Sequence, residues 1–203
     1  MGRALVRPTP PPSLPAPMDT LDTIRQRRST KSFTAAPVSR EQVAALLDLV
    51  VLAPNHRLSA PWRFVVMGPG ARRAYGEALG RRKAKKVEAE AAAQAIIEKT
   101  AAEAVAAPAM IGVVQRLADN PEVAEEDYAA IWMGIENLLL GATAQGLGSH
   151  LRTGAVLGDP AVRAPLGIAE GERLVALVLL GVPASEAAAR ERVPAADRTT
   201  WLG

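Results

Sequence analysis

The chain has 203 residues, of which 49% are hydrophobic and 22% charged, a composition typical of one globular domain with a sizeable core. It contains no cysteine, which excludes disulfides, thiol nucleophiles and zinc–thiolate sites and agrees with a cytoplasmic setting. The net charge of +3 suits anionic small molecules as well as nucleic acid and does not separate the two.

The first segment, residues 1–17, is rich in proline and lacks the apolar core of a signal peptide. Proline removes a backbone donor and breaks helices, so the sequence predicts a disordered tail here. We therefore expect the folded domain to span residues 18–203.

A short helix is predicted directly after this tail, over residues 20–28. Asp19 or Thr20 is its expected cap, and Leu21 and Ile24 are expected to turn inward.

A capping box marks the start of the second predicted helix, because Ser39 at the cap is followed by Gln42 at the third helical position. Pro54 ends this helix. Apolar spacing predicts a buried face made of Val43, Leu46, Leu47, Val50 and Val51.

Composition and periodicity predict the remaining elements. In order they are strand 62–67, helix 71–79, an alanine-rich helical segment 81–107, strand 109–115, helix 125–146, a short helix 158–165 and strand 174–182. Three strands among six helices, without regular alternation, favour the α+β class. The apolar stretch 128–151 carries polar residues and four glycines, which favours a buried or interface helix over a membrane span.

The triplet Arg27, Arg28 and Ser29 could hold a phosphate through two guanidinium groups and a hydroxyl. The same triplet is typical of a solvated helix end, where cations interact favourably with the dipole. Taken alone, the triplet favours this second interpretation.

Two further segments could line a pocket. The first runs from Ala53 to Phe64 and contains His56, a possible hydrogen-bond donor to a ligand. Taken alone, this segment favours a core position for Trp62 and an exposed loop position for His56. The second runs from Gly141 to Gly154, where small residues would allow close approach and Arg152 could bind phosphate. Its glycines follow a predicted helix, so they do not form a dinucleotide-binding fingerprint, which must follow a strand.

The basic run at residues 81–86 could contact nucleic acid. Glutamates follow on the same segment and no aromatic residues are interleaved, so a solvated helix face is favoured and no nucleic-acid partner is expected.

The order of these motifs resembles that of the nitroreductase-like FMN-dependent oxidoreductases, in particular the small single-domain NAD(P)H nitroreductases. The matching motifs are Arg27-Arg28-Ser29, Ala53-Pro54 followed by Pro61-Trp62 and Phe64, Ala144-Gln145-Gly146-Leu147-Gly148, Arg152-Thr153-Gly154 and Leu180-Gly181-Val182-Pro183. Each motif is weak, and the ordered set, covering residues 19–195, is fairly specific.

The resemblance implies an α+β fold with a central, mainly antiparallel sheet and an intertwined homodimer that holds FMN at its interface. It also implies a ping-pong scheme in which NADH or NADPH donates hydride and a small molecule, such as a nitroaromatic or a quinone, accepts it. No catalytic side chain or metal is implied, since the chemistry belongs to the flavin N5 atom. The cofactor-binding residues implied are Arg27, Arg28, Ser29, His56, Leu151, Arg152 and Thr153.

Three positions depart from the pattern of the family. Ala60 stands where many relatives carry an amide, Leu52 where small relatives carry a basic residue, and Leu151 where they carry an aromatic one. We therefore expect fewer polar and aromatic contacts to the flavin. Two alternatives stay open: a flavin-dependent dehydrogenase or desaturase with a dedicated substrate, and an FMN-binding protein without turnover.

Overall fold

The computed structural model describes residues 19–203, so the predicted disordered tail lies outside the described residues. The helices are α1 (Thr20–Gln26), α2 (Arg40–Val50), α3 (Pro69–Ala84), α4 (Glu90–Ala106), α5 (Pro121–Ala144) and α6 (Pro160–Arg163). The strands are β1 (Trp62–Val66), β2 (Ala109–Arg116), β3 (Gly148–Arg152) and β4 (Glu172–Gly181). Short 3-10 turns lie at Ala155–Gly158, Ala164–Leu166 and Ala195–Arg198.

The strands form one sheet in the order β1-β2-β4-β3, and every neighbouring pair is antiparallel. The last strand in the chain therefore lies inside the sheet, where Val178 is the register partner of both Ile111 and Leu151. A register shift interrupts the β2–β4 ladder between Val113 and Val114. This sheet confirms the predicted α+β class.

Helices cover both faces of the sheet, because successive strand side chains point to opposite sides. On one face, Ile111 and Val178 pack in a core with Leu46 of α2 and Ile135 of α5. On the other face, Met110 and Leu177 pack with Tyr75 of α3 and with further residues of α6. Both interior strands are consequently buried on two sides and are apolar almost throughout.

Helix α2 begins as predicted, with both hydrogen bonds of the Ser39–Gln42 capping box present. Helix α5 begins earlier than predicted, at Pro121 instead of residue 125. The Asn120 side chain accepts a hydrogen bond from the backbone N–H of Glu122, and proline fits the first helical position because its missing N–H would be unpaired there. The predicted turn at this point is the cap of the helix.

The prediction for α1 is wrong in its inward face and its end. The helix ends at Gln26 and buries Thr23, whereas Leu21 and Ile24 are 58% and 52% exposed. The predicted buried face of α2 is wrong at Val51, which is 42% exposed.

The boundaries between residues 69 and 106 also differ from the prediction. Helix α3 runs without interruption from Pro69 to Ala84, and α4 begins at Glu90. The two helices approach closely because Gly76 and Gly80 have no side chain. A Cβ atom at these glycines would lie 2.5 Å from Ala101 Cα and 2.6 Å from Ile97 Cα, respectively.

Strand β3 and the segments after it were not predicted correctly. Gly148–Arg152 forms a strand that the residue types do not suggest. The predicted short helix 158–165 is the four-residue helix α6 between two 3-10 turns. Within residues 19–203, no helix is long and apolar enough to cross a membrane, and that part of the chain contains no acid, histidine or cysteine cluster suited to a metal ion.

Candidate functional site

The segment after α1 lies directly beside β3. Ser29 forms a parallel bridge with Ser149, and the Thr30 N–H donates to the Ser149 carbonyl at 2.8 Å. Gly148 permits this approach, because a Cβ atom there would lie 2.5 Å from the Thr30 Oγ1 atom. The structure thus brings together two motifs that are almost 120 residues apart in the chain.

The two arginines of the triplet have different surroundings. Arg27 is half-buried, and its Nε atom lies 3.7 Å from a carboxylate oxygen of Glu136 on α5. One Nη atom of Arg28 donates to the carbonyls of Arg25 and Arg27, at 2.6 and 3.1 Å, and so satisfies the end of α1. Its other N–H groups stay available to a ligand.

A cavity of about 560 Å³ opens at the start of β3. Arg28 and Thr30 line it together with Gly146 and Gly148, and the segment 183–189 closes another side. The arginine triplet and the glycine-rich motif therefore border the same space.

Strand β3 places Leu151 and Arg152 on opposite faces of the sheet. Leu151 is half-buried against the core shared with α5. Arg152 lines a second cavity, of about 250 Å³, together with Lys31 and the buried Tyr75. Burial raises the pKa of Tyr75, and the nearby Arg152 opposes that shift. These two predicted site residues consequently cannot contact one face of a ligand together.

Two buried polar atoms on β3 have no hydrogen-bond partner within residues 19–203: Ser149 Oγ and His150 Nδ1. Burial lowers the pKa of His150, and the positive charges of Arg152 and Lys31 lower it further. The imidazole is therefore neutral at pH 7. Unpaired buried polar atoms are rare, and their presence here fits a site that binds a polar group.

His56 stands apart from the residues described so far. Its side chain is 72% exposed, and its Nδ1 atom lies 3.0 Å from a carboxylate oxygen of Glu126. Hydrogen bonds from His56 and then Arg57 hold the pKa of Glu126 below its usual value. Glu126 and Glu136, the partner of Arg27, are ten residues apart on α5, or about 15 Å along the helix axis.

The loop that carries His56 is fixed to α5 by a buried acid. Asp127 is 3% exposed and accepts hydrogen bonds from Asn55 Nδ2 at 3.1 Å and Ser59 Oγ at 2.5 Å. Leu58 and Ala60 adopt left-handed backbone conformations, with φ of 48° and 47°. Such conformations are uncommon for residues with a side chain and persist where surrounding contacts impose them.

Thr153 is exposed and lies just beyond β3, in the wall of a third cavity, so it neighbours Arg152 in the chain but borders a different space. Sequence reasoning missed Lys31, Tyr75 and Asp127. The position of Lys31 could have been predicted, because it lies two residues after Ser29 and side chains two residues apart in an extended chain point to the same side. The sequence gives no sign that Asp127 is buried, because it follows Glu125 and Glu126 on a helix, and consecutive acids on a helix are usually exposed to solvent.

A family model described as "Nitroreductase family" matches residues 24–182. "Putative NAD(P)H nitroreductase YfhC" of Bacillus subtilis is 28% identical over 183 residues, covering 89% of this chain and 93% of that protein.

Solved structures show the same fold. A nitroreductase-like family protein from Bacillus cereus superposes with a TM-score of 0.80 at 22% identity, covering 94% of this chain and 99% of that one. The FMN and NADPH-dependent nitroreductase NfnB from Sphigopyxis sp. strain HMH gives a TM-score of 0.73 at 17% identity, covering 92% of this chain and 100% of that one.

Proposed function

This chain belongs to the nitroreductase family, and on that premise we propose that it is an FMN-dependent NAD(P)H oxidoreductase that reduces small molecules. The observation that carries the proposal is the contact between residues 29–30 and β3, which gathers cations and unpaired polar atoms around one region. When bound, FMN would supply the redox chemistry, taking hydride from NADH or NADPH and passing it to an acceptor such as a nitroaromatic or a quinone.

The residues present fit a flavin mononucleotide. Arg27, Arg28, Lys31 and Arg152 offer positive charge to a phosphate on both sides of the contact between the two segments. Arginine forks and lysine are the side chains that bind phosphate best. Ser29 and the unpaired Ser149 and His150 side chains add partners of the kind that ribityl hydroxyls and a flavin ring need.

In this proposal, the other predicted cofactor-binding residues come from both copies of the chain. Arg152 and Thr153 serve the copy that holds the cofactor. Glu126, the partner of His56, lies about 15 Å along α5 from Glu136, the partner of Arg27, so in this proposal His56 acts at the site of the second subunit. Leu151 packs in the core and would support the strand instead of touching the ring.

An exposed apolar surface supports the homodimer. Leu21, Ile24 and Leu52 are 58%, 52% and 74% exposed. Leu52 lines a groove of about 280 Å³ between α1, α2 and α5, and Thr20 and Thr23 of α1 line the same groove. Exposed apolar side chains around a groove are typical of an interface. A second copy would bury Leu21 and Ile24, which the single chain leaves exposed.

The first experiment is the visible spectrum of the purified protein, before and after addition of FMN and removal of the excess. Peaks at roughly 370 and 450 nm, with FMN identified by mass in the extracted cofactor, are expected. A colourless protein that retains no added FMN refutes the proposal.

A turnover assay then separates the proposed activity from the two alternatives. Oxidation of NADH or NADPH with menadione or a nitrofuran is expected of the proposed enzyme. Bound FMN without oxidation of either nucleotide by any acceptor would indicate a flavin-binding protein, and activity confined to a dedicated substrate would indicate a dehydrogenase or desaturase.

Sedimentation equilibrium tests the dimer. Leu52→Glu places a charge in the proposed interface and is expected to give monomers that release FMN. Val66→Glu is the matched control, since Val66 is 56% exposed on β1. Retention of the parent's mass and flavin by the Leu52 variant would refute the interface.

A further inference from the structure

The third cavity, of about 410 Å³, opens where β3 ends and β4 continues. Thr153 and Gly154 form part of its wall, and Tyr128 and Trp132 of α5 form another part. The cavity thus joins the segment expected to contact the flavin to an aromatic surface.

The aromatic surface holds a guanidinium group in place. Tyr128 and Trp132 pack edge to face, with ring centroids 5.9 Å apart and an interplanar angle of 89°. The Arg173 guanidinium carbon lies 4.1 Å from the centroid of the Tyr128 ring. This contact orients the cation. No carboxylate within residues 19–203 forms an ion pair with Arg173, so its charge is available to a ligand.

The other charged groups in the wall leave the cavity positive. Glu172 is held by Arg63, with nitrogen–oxygen distances of 2.5 and 2.7 Å, and by the backbone N–H of Ala169 at 3.0 Å. The bonds from Arg63 chiefly hold the pKa of Glu172 below its usual value, so the acid is charged but neutralised by its partner. Arg163, which also lines the cavity, adds a second cation.

We propose that this cavity binds the electron acceptor and selects a planar aromatic molecule that carries a negative charge. The inference rests on the proposed function. Trp132 and Tyr128 offer apolar ring surface, the Thr153 hydroxyl can bond to an acceptor oxygen, and Arg173 pairs with the anionic substituent. For a nitroaromatic acid, NAD(P)H, one proton and Ar–NO₂ give NAD(P)⁺, Ar–NO and water. The nucleotide loses two electrons and the nitro group gains them.

Two probes of matched shape test the charge requirement: para-nitrobenzoate, an anion, and para-nitrobenzamide, which is neutral. Equilibrium dialysis against the flavin-loaded protein, without NAD(P)H, measures binding in the absence of turnover. The anion is expected to bind about tenfold more tightly, as the loss of one charge-assisted hydrogen bond predicts.

Three variants locate the effect. Arg173→Gln is expected to lower the benzoate-to-benzamide ratio about tenfold, in the dissociation constant and in kcat/KM. Arg173→Lys keeps the charge and should retain most of the preference. Arg82→Gln removes one exposed cation at the end of α3, away from this cavity, and should leave the ratio at the parent's value.

Equal binding of the two probes by the parent would overturn the inference, as would equal effects of the Arg173→Gln and Arg82→Gln substitutions. These failures are separate from failure of the proposed function. If benzamide is reduced but benzoate has no advantage, only the inference falls. If a flavin-loaded protein oxidises neither NADH nor NADPH with any acceptor, menadione and the two probes included, the oxidoreductase proposal fails, while dialysis still decides whether the cavity prefers the anion.

Discussion

Replacement of Asp127 by alanine should destabilise the protein far more than replacement of its neighbour Glu126. Both carboxylates hold the loop at residues 55–60, but Asp127 is 3% exposed whereas the Glu126 side chain is 30% exposed. Asp127→Ala removes the acceptor of two hydrogen bonds, from Asn55 and Ser59. Each bond to a charged acceptor contributes about 1.5–3 kcal/mol.

We expect Asp127→Ala to lower the free energy of unfolding by about 3 kcal/mol, the lower end of that sum, because both donors can turn toward water. Glu126→Ala should cost much less, because exposed ion pairs contribute little to stability. Urea unfolding followed by circular dichroism measures both. Equal losses in the two variants would refute the argument that burial makes the Asp127 contacts the stronger support of the loop.

Three further predictions concern the helix pair, β3 and the cofactor. Gly76→Ala should destabilise the protein by up to about 2 kcal/mol, since overpacking costs about 1–3 kcal/mol and alanine recovers about 1 kcal/mol of helix propensity. Gly70→Ala should not destabilise the protein, because nothing lies within 4 Å of its added Cβ. Thermal melts that rank the two variants the other way would contradict the close packing of α3 and α4. Because the folded-state pKa of His150 is lowered, its contribution to stability is fully present above the usual histidine pKa of about 6.5 and is lost as pH falls from that value through the lowered folded-state pKa. Urea unfolding at a series of pH values should give a flatter dependence of stability on pH for His150→Gln than for the parent, and parallel profiles would count against this reasoning. Arg152→Ala should weaken FMN binding at least about tenfold, and equal flavin retention by variant and parent would remove Arg152 from the cofactor site.

The interior of the sheet was predictable from the sequence because its signal is local. Strands β2 and β4 are buried on both faces, so their residues form short apolar runs bounded by Pro108 and Pro183. The capping box of α2 is likewise contained in four residues. Where a few neighbouring residues determine an element, the sequence pattern identified it.

Strand β3 could not be predicted, because its partner determines it. The residues Gly-Ser-His-Leu-Arg have little strand propensity, and they are extended because β4 supplies a ladder of hydrogen bonds. The exposure of Leu21 and Ile24 has a similar origin, since an apolar helix face indicates burial without saying which molecule covers it.

The sequence motifs named candidate site residues but not their arrangement, and contact of these residues with a cofactor stays a prediction. Ser29 forms an isolated bridge with Ser149, so the triplet at residues 27–29 lies beside the strand that ends at Arg152. Three facts depend on strand register and on helix length: the opposite faces of Leu151 and Arg152, the position of Lys31 beside Arg152, and the separation of His56 from both. A short sequence motif cannot predict these three arrangements.

The position of β4 inside the sheet has a consequence for the order of events during synthesis. Strand β3 leaves the ribosome before β4, and until Glu172–Gly181 follows it has no strand to pair with. The bridge between Ser29 and Ser149 depends on β3 being in place, so it joins the two ends of the domain only after nearly all of the chain has emerged. A nascent or truncated chain that ends before β4 would contain both segments but not the strand that holds β3 in place. Uptake of cofactor would therefore report completion of the domain.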